Sequence, residues 1–271
     1  MLKRLLFICT VCLPLSVWAQ QSDTVSERVE LLPYGDMECW TTRVIKESAL
    51  LGGATKVVYH IGPTQTIEGA EPWVRESSDS PWGGSVFLGS VREPVKNAKN
   101  PQGKLDQGIP FTKRPKALQL DYKLELAGQL VKATGMRSSE IEGKDNAEIC
   151  LYLIQRWEDE DGNVYARRIG TGYCKFSESV PEWQNGFRIP IYYGDISEEP
   201  FFRPEMMLEL PDGPRYTTNS KGKNVPIQVV GWGDADAEPT HLMLRISSGD
   251  RGAFIGAVGT CFWIDNVSLV Y

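Results

Sequence analysis

The chain has 271 residues and a formal net charge of −6, with 29 Lys and Arg residues against 35 Asp and Glu residues. An acidic chain without a basic stripe argues against nucleic acid as a partner, because phosphate contacts need clustered Lys and Arg side chains. Its length is enough to bury one large core, and all-β domains of about 250 residues are often single.

The first nineteen residues have the organisation of a secretory signal peptide. Lys3 and Arg4 precede an apolar run from Leu5 to Trp18, and Ala19 follows it. The run is too short to predict a membrane span, and no other run is long enough. We expect cleavage after Ala19, which removes two positive charges and no acid and leaves a net charge of −8. The protein is then periplasmic, cell-surface or secreted, with a polar lead-in at 20–30 and one domain at 31–271.

The remaining sequence alternates apolar and polar residues with the period of β-strands. This pattern predicts half-buried strands at 118–126, 187–193 and 242–247. Because Pro190 cannot donate a ladder hydrogen bond, we expect its strand to lie at a sheet edge or to bulge there. Tyr192 and Arg188 share one face of that predicted strand.

A hairpin is predicted between 148 and 176. Residues 148–157 are apolar on both faces, which favours a central strand, and an acidic turn at 158–163 precedes the β-rich segment 164–176. A hairpin centred near Gly162 would place Cys150 opposite Cys174, as a disulfide or an adjacent thiol pair. The alternative is that Cys39, Cys150, Cys174 and Cys261 are four buried free thiols.

No segment carries a sustained helical period with caps. Residues 194–204 and 211–224 are predicted loops, rich in Gly, Pro and polar side chains. Many strands separated by such turns predict an all-β sandwich or barrel.

Two segments carry a family resemblance. They are 108–118, beginning Gly-Ile-Pro-Phe, and 246–271, which contains Trp263-Ile264-Asp265-Asn266-Val267. With 187–193 in support, and 35–40 as an opening strand, they resemble the putative carbohydrate metabolism domain, a family of exported proteins from Bacteroidetes. The resemblance implies a jelly-roll β-sandwich of two antiparallel sheets, similar to carbohydrate-binding modules, with its first and last strands paired.

The closing strand predicts a β-bulge and a calcium site. The inward face switches parity at Asp265-Asn266, which is what one extra residue does. Pairing of the first and last strands would bring Glu38 close to Asp265, with Asp36 completing the oxygen ligands of a structural calcium ion. The alternative is that Asp265 binds local backbone amides without an ion.

Aromatic side chains are the candidate sugar contacts, because the apolar face of a pyranose packs on a ring while its hydroxyls bond polar neighbours. The alternative for each ring is packing within the sandwich. The candidate ligand-binding residues are Trp73, Trp82, Trp157, Trp183, Arg188, Tyr192 and Trp232, and Trp40 is a further aromatic candidate.

Catalytic signals are weak. The histidines are His60 and His241, and no Gly-x-Ser-x-Gly elbow is present. Carboxylates are plentiful, but the sequence does not single out the pair that a glycosidase needs. The leading hypothesis is therefore an exported, non-catalytic protein that binds polysaccharide or oligosaccharide. The alternatives are a glycan-active hydrolase or lyase, or an adhesive surface module that binds protein.

Overall fold

The computed structural model describes residues 26–46, 55–61, 73–78, 85–92, 100–134, 137–252 and 255–271, with backbone alone for 41–46, 55–61, 73–78, 133–134 and 137. Short 3-10 turns occur at Gln102–Lys104 and Pro204–Met206, and these ranges contain no α-helix. The strands are β1 (Val29–Leu31), β2 (Trp40–Lys46), β3 (Thr55–Ile61), β4 (Trp73–Ser78), β5 (Ser85–Phe87), β6 (Gly89–Val91), β7 (Leu105–Gln107), β8 (Ile109–Pro110), β9 (Ala117–Glu125), β10 (Leu130–Thr134), β11 (Arg137–Ile141), β12 (Ala147–Glu158), β13 (Val164–Phe176), β14 (Val180–Pro190), β15 (Tyr192–Tyr193), β16 (Tyr216–Thr218), β17 (Asn224–Trp232), β18 (His241–Ser247), β19 (Ile255–Ala257) and β20 (Cys261–Val270).

Two main sheets form a sandwich. Sheet A has the order β1-β20-β9-β14, and sheet B has the order β16-β17-β13-β12-β18-β5-β4-β3-β2, with β15 beside β13 and β8 beside β18. Smaller sheets are β11-β10-β19 and β6-β7. The predicted all-β sandwich is confirmed. One pair departs from a purely antiparallel arrangement, because β13 and β17 run parallel.

The sandwich core follows from the alternation in β9. Leu118, Leu120 and Leu124 point inward with no exposed surface, and Ile149 and Leu151 of β12 meet them from sheet B. Burying such a side chain stabilises the fold by about 1.5–3 kcal/mol. The outward-pointing residues of β9 are polar, so one face of this strand is in contact with water and the other is buried.

The first and last strands are neighbours, as expected. Val29–Leu31 pairs with Ser268–Val270. The segment expected to open the sandwich, 35–40, instead forms part of a turn and the start of β2 in sheet B. The parity switch in β20 is confirmed: the register shifts between Asp265 and Ser268, and Asn266 has a φ of 50°.

The β12–β13 hairpin is also confirmed, but its register is one residue from the expected one. Glu158 pairs with Val164, and a bulge opposite Leu153 and Ile154 then shifts the register by one. Cys150 therefore lies opposite Tyr173 and packs on the outer side of sheet B, whereas Cys174 packs against the inner core. A one-residue offset reverses the face of a strand, so the expected Cys150–Cys174 disulfide is wrong, and both thiols are free.

A second apolar cluster covers the outer face of sheet B at β12, β13, β17 and β18. Residues 194–215, here called the cover segment, bring Ile196 and Met206 onto Tyr152 and Ile154 of β12. The Tyr152 hydroxyl donates to the Glu205 carbonyl at 2.9 Å. This face of sheet B is therefore sealed by a segment that the sequence predicted to be largely loop.

The expected signal peptide, residues 1–19, lies outside the described residues. Strand β1 begins at Val29, inside the expected polar lead-in. Within the described ranges, no helix combines the length and the apolar character that crossing a bilayer requires.

Candidate functional site

The outer face of sheet A is the best candidate for a binding surface. We call it the sheet A face and define it by the outward side chains of β9, β14 and β20. Along β9 these are Gln119, Asp121, Lys123 and Glu125, which alternate with the buried leucines. Residues two apart along a strand are about 7 Å from each other, so the face presents successive rows of side chains across three strands.

An aromatic row crosses this face at Lys123. Trp263 of β20 lies directly opposite Lys123 in the ladder, and Trp183 lies on β14 at the other side. The Lys123 ammonium group is 4.3 Å from the Trp263 ring centroid and 5.9 Å from the Trp183 ring centroid. Both distances permit cation–π attraction. Trp183 is 45% exposed, so its indole offers free surface to a ligand.

The neighbouring rows are polar and held in place by hydrogen bonds. The Gly186 amide donates to Asp121 at 2.6 Å, and the Asn266 side chain donates to the same carboxylate at 2.8 Å. In the next row, Arg188 donates to Gln119 at 2.9 Å and pairs with Glu27 at 2.7 Å. The face therefore combines fixed hydrogen-bonding groups with exposed indole surface, which is the composition of many ligand sites.

Two of the candidate sugar contacts lie on this face, namely Trp183 and Arg188. Trp157 is also exposed but belongs to the β12–β13 hairpin. Trp73 begins β4, with only its backbone described, and Trp82 lies outside the described residues. Trp40 is exposed, and its indole nitrogen donates to the Met37 carbonyl.

The candidates Tyr192 and Trp232 are partly buried and pack against the second cluster instead. Tyr192 stacks on Phe201 with ring centroids 4.1 Å apart, and Trp232 meets Phe202 edge-on. The expected shared face of Arg188 and Tyr192 is wrong. β14 belongs to sheet A and β15 to sheet B, so the chain changes sheets between the two residues.

The sequence reasoning missed Trp263 and Lys123. A signal for both was present, because Lys123 alternates with the inward leucines of β9, and Trp263 lies between Phe262 and Ile264, which pack inward. The alternation of inward and outward side chains in β20 predicts that Trp263 lies on the outer face of its sheet. This position alone was enough to make Trp263 a candidate sugar contact.

The carboxylates expected to bind calcium make local hydrogen bonds. Asp265 accepts from the Asn266 amide at 2.7 Å, and Asp36 accepts from the Glu38 amide at 3.4 Å. In the described part of the chain, no three His, Cys, Asp or Glu side chains are grouped as metal ligands. The geometry thus does not assemble Asp36, Glu38 and Asp265 into a site, and calcium binding stays a prediction.

A second concentration of polar groups lies beneath the cover segment. We call Glu148, Asp212, Arg215 and Arg245 the covered cluster. Arg245 binds Glu148 through one nitrogen and Asp212 through another at 3.1 Å, and Arg215 binds Asp212 at 2.9 Å. The Tyr173 hydroxyl donates to Glu148 at 3.3 Å. These charged side chains lie on the outer side of sheet B, beneath the cover segment.

The pKa values of the two carboxyl groups in the covered cluster are shifted in opposite directions. Burial raises the pKa of Glu148, which is 3% exposed. Burial also favours a higher pKa for Asp212, but the positive charges of Arg215 and Arg245 outweigh burial and lower the pKa of that carboxyl. Beside them a cavity of about 20 Å³, lined by Cys150, Tyr152 and both arginines among others, has room for about one water molecule. A sugar does not fit there in this conformation.

Neither a family model nor a curated protein matches the chain. Solved structures with some likeness include a putative glycoside hydrolase from Bacteroides thetaiotaomicron, with 18% identity and a TM-score of 0.44, over 85% of this chain and 56% of that one. Another is a putative glycoside hydrolase from Bacteroides vulgatus, with 14% identity and a TM-score of 0.41, over 84% of this chain and 76% of that one.

A third is the family 11 carbohydrate-binding module from Clostridium thermocellum, in complex with a β-1,3-1,4-mixed-linked tetrasaccharide. It has 10% identity and a TM-score of 0.29, over 89% of this chain and 94% of that one. The chain spans just over half the length of the first of these structures. The neighbours include two putative glycoside hydrolases and a carbohydrate-binding module, and the Bacteroidetes family resemblance stays an interpretation.

Proposed function

We propose that this is an exported, non-catalytic protein that binds polysaccharide through the sheet A face and supports its capture. The observation that carries the proposal is the aromatic row, in which two tryptophans flank Lys123 on a sheet face that no described segment covers. By contrast, the cover segment packs on the outer face of sheet B at β12 and β13 and their neighbours β17 and β18.

The row suits a sugar for physical reasons. The apolar C–H face of a pyranose packs on an indole and removes apolar surface from water, as aromatic contacts generally do. The hydroxyl groups at the rim of the sugar need donors and acceptors at the same time. Lys123 supplies a donor between the two rings, and Asp121 and Gln119 supply acceptors and donors one and two rows further along.

The charges of the face favour neutral glycans over anionic ones. Its carboxylates are Asp121, Glu125 and Asp265, whereas its cations are Lys123 and Arg188, and Arg188 already pairs with Glu27. A polyuronate would meet an excess of like charge here. Export rests on the signal-peptide pattern of residues 1–19, and it places the protein where polysaccharides occur.

Affinity gel electrophoresis tests the proposal. The panel is mixed-linkage β-glucan, xyloglucan, arabinoxylan, galactomannan, amylopectin and polygalacturonate, the last being the anionic comparison. We expect retardation by at least one neutral polysaccharide and at least tenfold weaker binding in Trp183→Ala and Trp263→Ala, since tenfold is about 1.4 kcal/mol. Trp40→Ala is the matched control, because Trp40 is as exposed as Trp183 but belongs to sheet B.

Two results would count against the proposal. Folded protein that is retarded by none of the six polysaccharides contradicts carbohydrate binding and favours a protein-binding surface module. Binding that survives both tryptophan substitutions unchanged, or that Trp40→Ala weakens equally, contradicts the assignment of the site.

A glycan-active hydrolase is the second candidate, and one observation favours it. The raised pKa of Glu148 and the lowered pKa of Asp212 have the pattern of a glycosidase acid and its ionised partner. Arg245 holds both carboxylates, so reaction would require the cover segment to move. Release of reducing sugar from the same panel, lost in Glu148→Gln, would establish this function over the first.

A further inference from the structure

The inner face of sheet B continues beyond the sandwich core at the β12–β13 hairpin. Leu153 of β12 is fully buried, whereas Gln155 and Trp157, on the same side of that strand, are exposed. Trp157 pairs with Tyr165, and Gln155 pairs with Arg167. We call Gln155, Trp157, Tyr165, Arg167 and Gln228 the hairpin ledge. It is formed by strands of sheet B, and none of its residues belongs to the sheet A face.

Two aromatic rings occupy the outer row of the hairpin ledge. Trp157 and Tyr165 have ring centroids 5.9 Å apart and planes inclined by only 23°. Trp157 is 42% exposed although it is a large apolar side chain. An aromatic pair that is nearly parallel, fixed across two strands and open to solvent has apolar surface to offer and little side-chain entropy left to lose.

The acidic turn holds this pair in position. Asp159 accepts hydrogen bonds from the Asn163 amide at 2.8 Å and from the Asn163 side chain at 2.9 Å. The turn between the two strands that carry the rings is therefore closed by side-chain as well as backbone hydrogen bonds, which reduces the cost of ordering the ring pair when a ligand binds.

Hydrogen-bonding side chains surround the two rings. Tyr165 pairs with Gln228 of β17, so the outer row runs Trp157, Tyr165 and Gln228 across three strands. Gln155 and Arg167 form the next row. Within the part of the chain that the structure describes, these three polar side chains bond no other residue. Two amides and a guanidinium group are thus available to sugar hydroxyls beside an apolar platform.

We propose that the hairpin ledge is a second carbohydrate contact, independent of the sheet A face, that takes a neutral pyranose unit of a glycan. The proposal rests on the proposed function for the class of ligand alone. The acidic turn disfavours an anionic sugar, because Asp159, Glu160 and Asp161 lie beside the ring pair.

Fluorine NMR of protein labelled with 5-fluorotryptophan tests both surfaces in one titration. The probes are cellohexaose, xylohexaose, mannohexaose and maltohexaose, and single Trp→Phe variants assign the signals. We expect the Trp157 signal to shift saturably with at least one of the four sugars and to do so equally in the Trp183→Ala/Trp263→Ala variant. Trp232, which packs edge-on against Phe202, should not shift.

Variants at the ledge measure its strength. Trp157→Ala should raise the dissociation constant at the ledge by roughly tenfold, as the loss of an aromatic contact predicts. The Tyr165→Phe variant keeps the aromatic ring and should bind the sugar with a dissociation constant within about threefold of wild type. This variant distinguishes the contribution of the ring from that of the hydroxyl group.

Each outcome separates the two surfaces. Shifts of Trp183 and Trp263 without a shift of Trp157 overturn the ledge and leave the proposed function standing. A shift of Trp157 alone supports the ledge and overturns the sheet A face. A Trp157 shift that disappears in the double variant overturns the independence of the ledge, and no shift with any of the four sugars overturns both.

Discussion

Replacing Arg245 by methionine tests whether ion pairs hold the covered cluster together. Arg245 is the shared partner of Glu148 and Asp212, which it binds through separate guanidinium nitrogens. Methionine keeps much of the apolar volume but leaves both carboxylates without that partner. Their side chains are only 4% and 21% exposed, so water replaces the lost guanidinium poorly.

The expected cost can be worked from these contacts. Removing one partner of a buried ion pair costs about 3–5 kcal/mol. We expect about 3 kcal/mol, because Arg215 and Gln102 still bind Asp212 and because Arg245 itself is partly exposed. For a chain of this size that corresponds to a fall in Tm of roughly 6–12 °C.

Urea unfolding followed by tryptophan fluorescence measures this cost. Arg251→Met is the matched control, since Arg251 is 45% exposed and lies 3.5 Å from Asp250, and it should cost less than about 1 kcal/mol. The double variant Glu148→Gln/Arg245→Met should regain much of the loss, because Glu148 is then neutral and Asp212 keeps its ion pair with Arg215. An Arg245→Met protein within about 1 kcal/mol of wild type would refute this reasoning.

Three further predictions concern the thiols, a glycine and a histidine. Burial raises the pKa of Cys150 and of Cys174 to about 11, so Cys39 and Cys261 should react with Ellman's reagent in the native state and the other two only after unfolding. A Cys150–Cys174 pair that resists alkylation in denaturant without reductant would contradict this. Gly35→Ala should destabilise by about 2 kcal/mol in urea melts, because its Cβ would lie 2.3 Å from the Val267 carbonyl oxygen, whereas Gly128→Ala meets nothing within 4 Å. Burial, with the charge of Arg156 as a second cause, lowers the pKa of His241 to about 4. At a pH between the pKa of this histidine in the unfolded chain and about 4, the unfolded chain binds more protons than the folded one. The wild-type protein should therefore lose stability as the pH falls through this range. The urea midpoint of the His241→Gln variant should fall less steeply over the same range.

The period-two alternation was enough to predict the strands and the sandwich. Residues 118–126 and 242–247 became β9 and β18 because one face of each strand is apolar throughout. Residues 148–157 became part of the central strand β12 because both faces are apolar, and as far as Ile154 both are covered, by sheet A and by the cover segment. These outcomes depend on local pattern and burial alone.

The failures come from single-residue events that no local pattern marks. The bulge in β13 adds one residue to the register, and this is enough to put Cys150 and Cys174 on opposite faces. The chain leaves sheet A after Pro190 and joins sheet B at Tyr192, although the apolar alternation runs on without a break. Counting alternate residues across a bulge or a change of sheet does not show which residues share a face, because the residues on the two sides no longer follow one continuous strand.

The candidate site was predicted only in part, for a related reason. Exposure of a tryptophan depends on which distant segment covers it. Tyr192 and Trp232 became partly buried because Phe201 and Phe202 of the cover segment pack on them. Trp183 stayed exposed because no described segment packs over the sheet A face.

The position of β20 has a consequence for the order of folding. Strand β1 pairs with β20 alone in sheet A, and β20 in turn lies between β1 and β9. Sheet A therefore cannot close until the chain has been synthesised through residue 270. Until then the inward leucines of β9 lack one flanking strand, and the sandwich stays open.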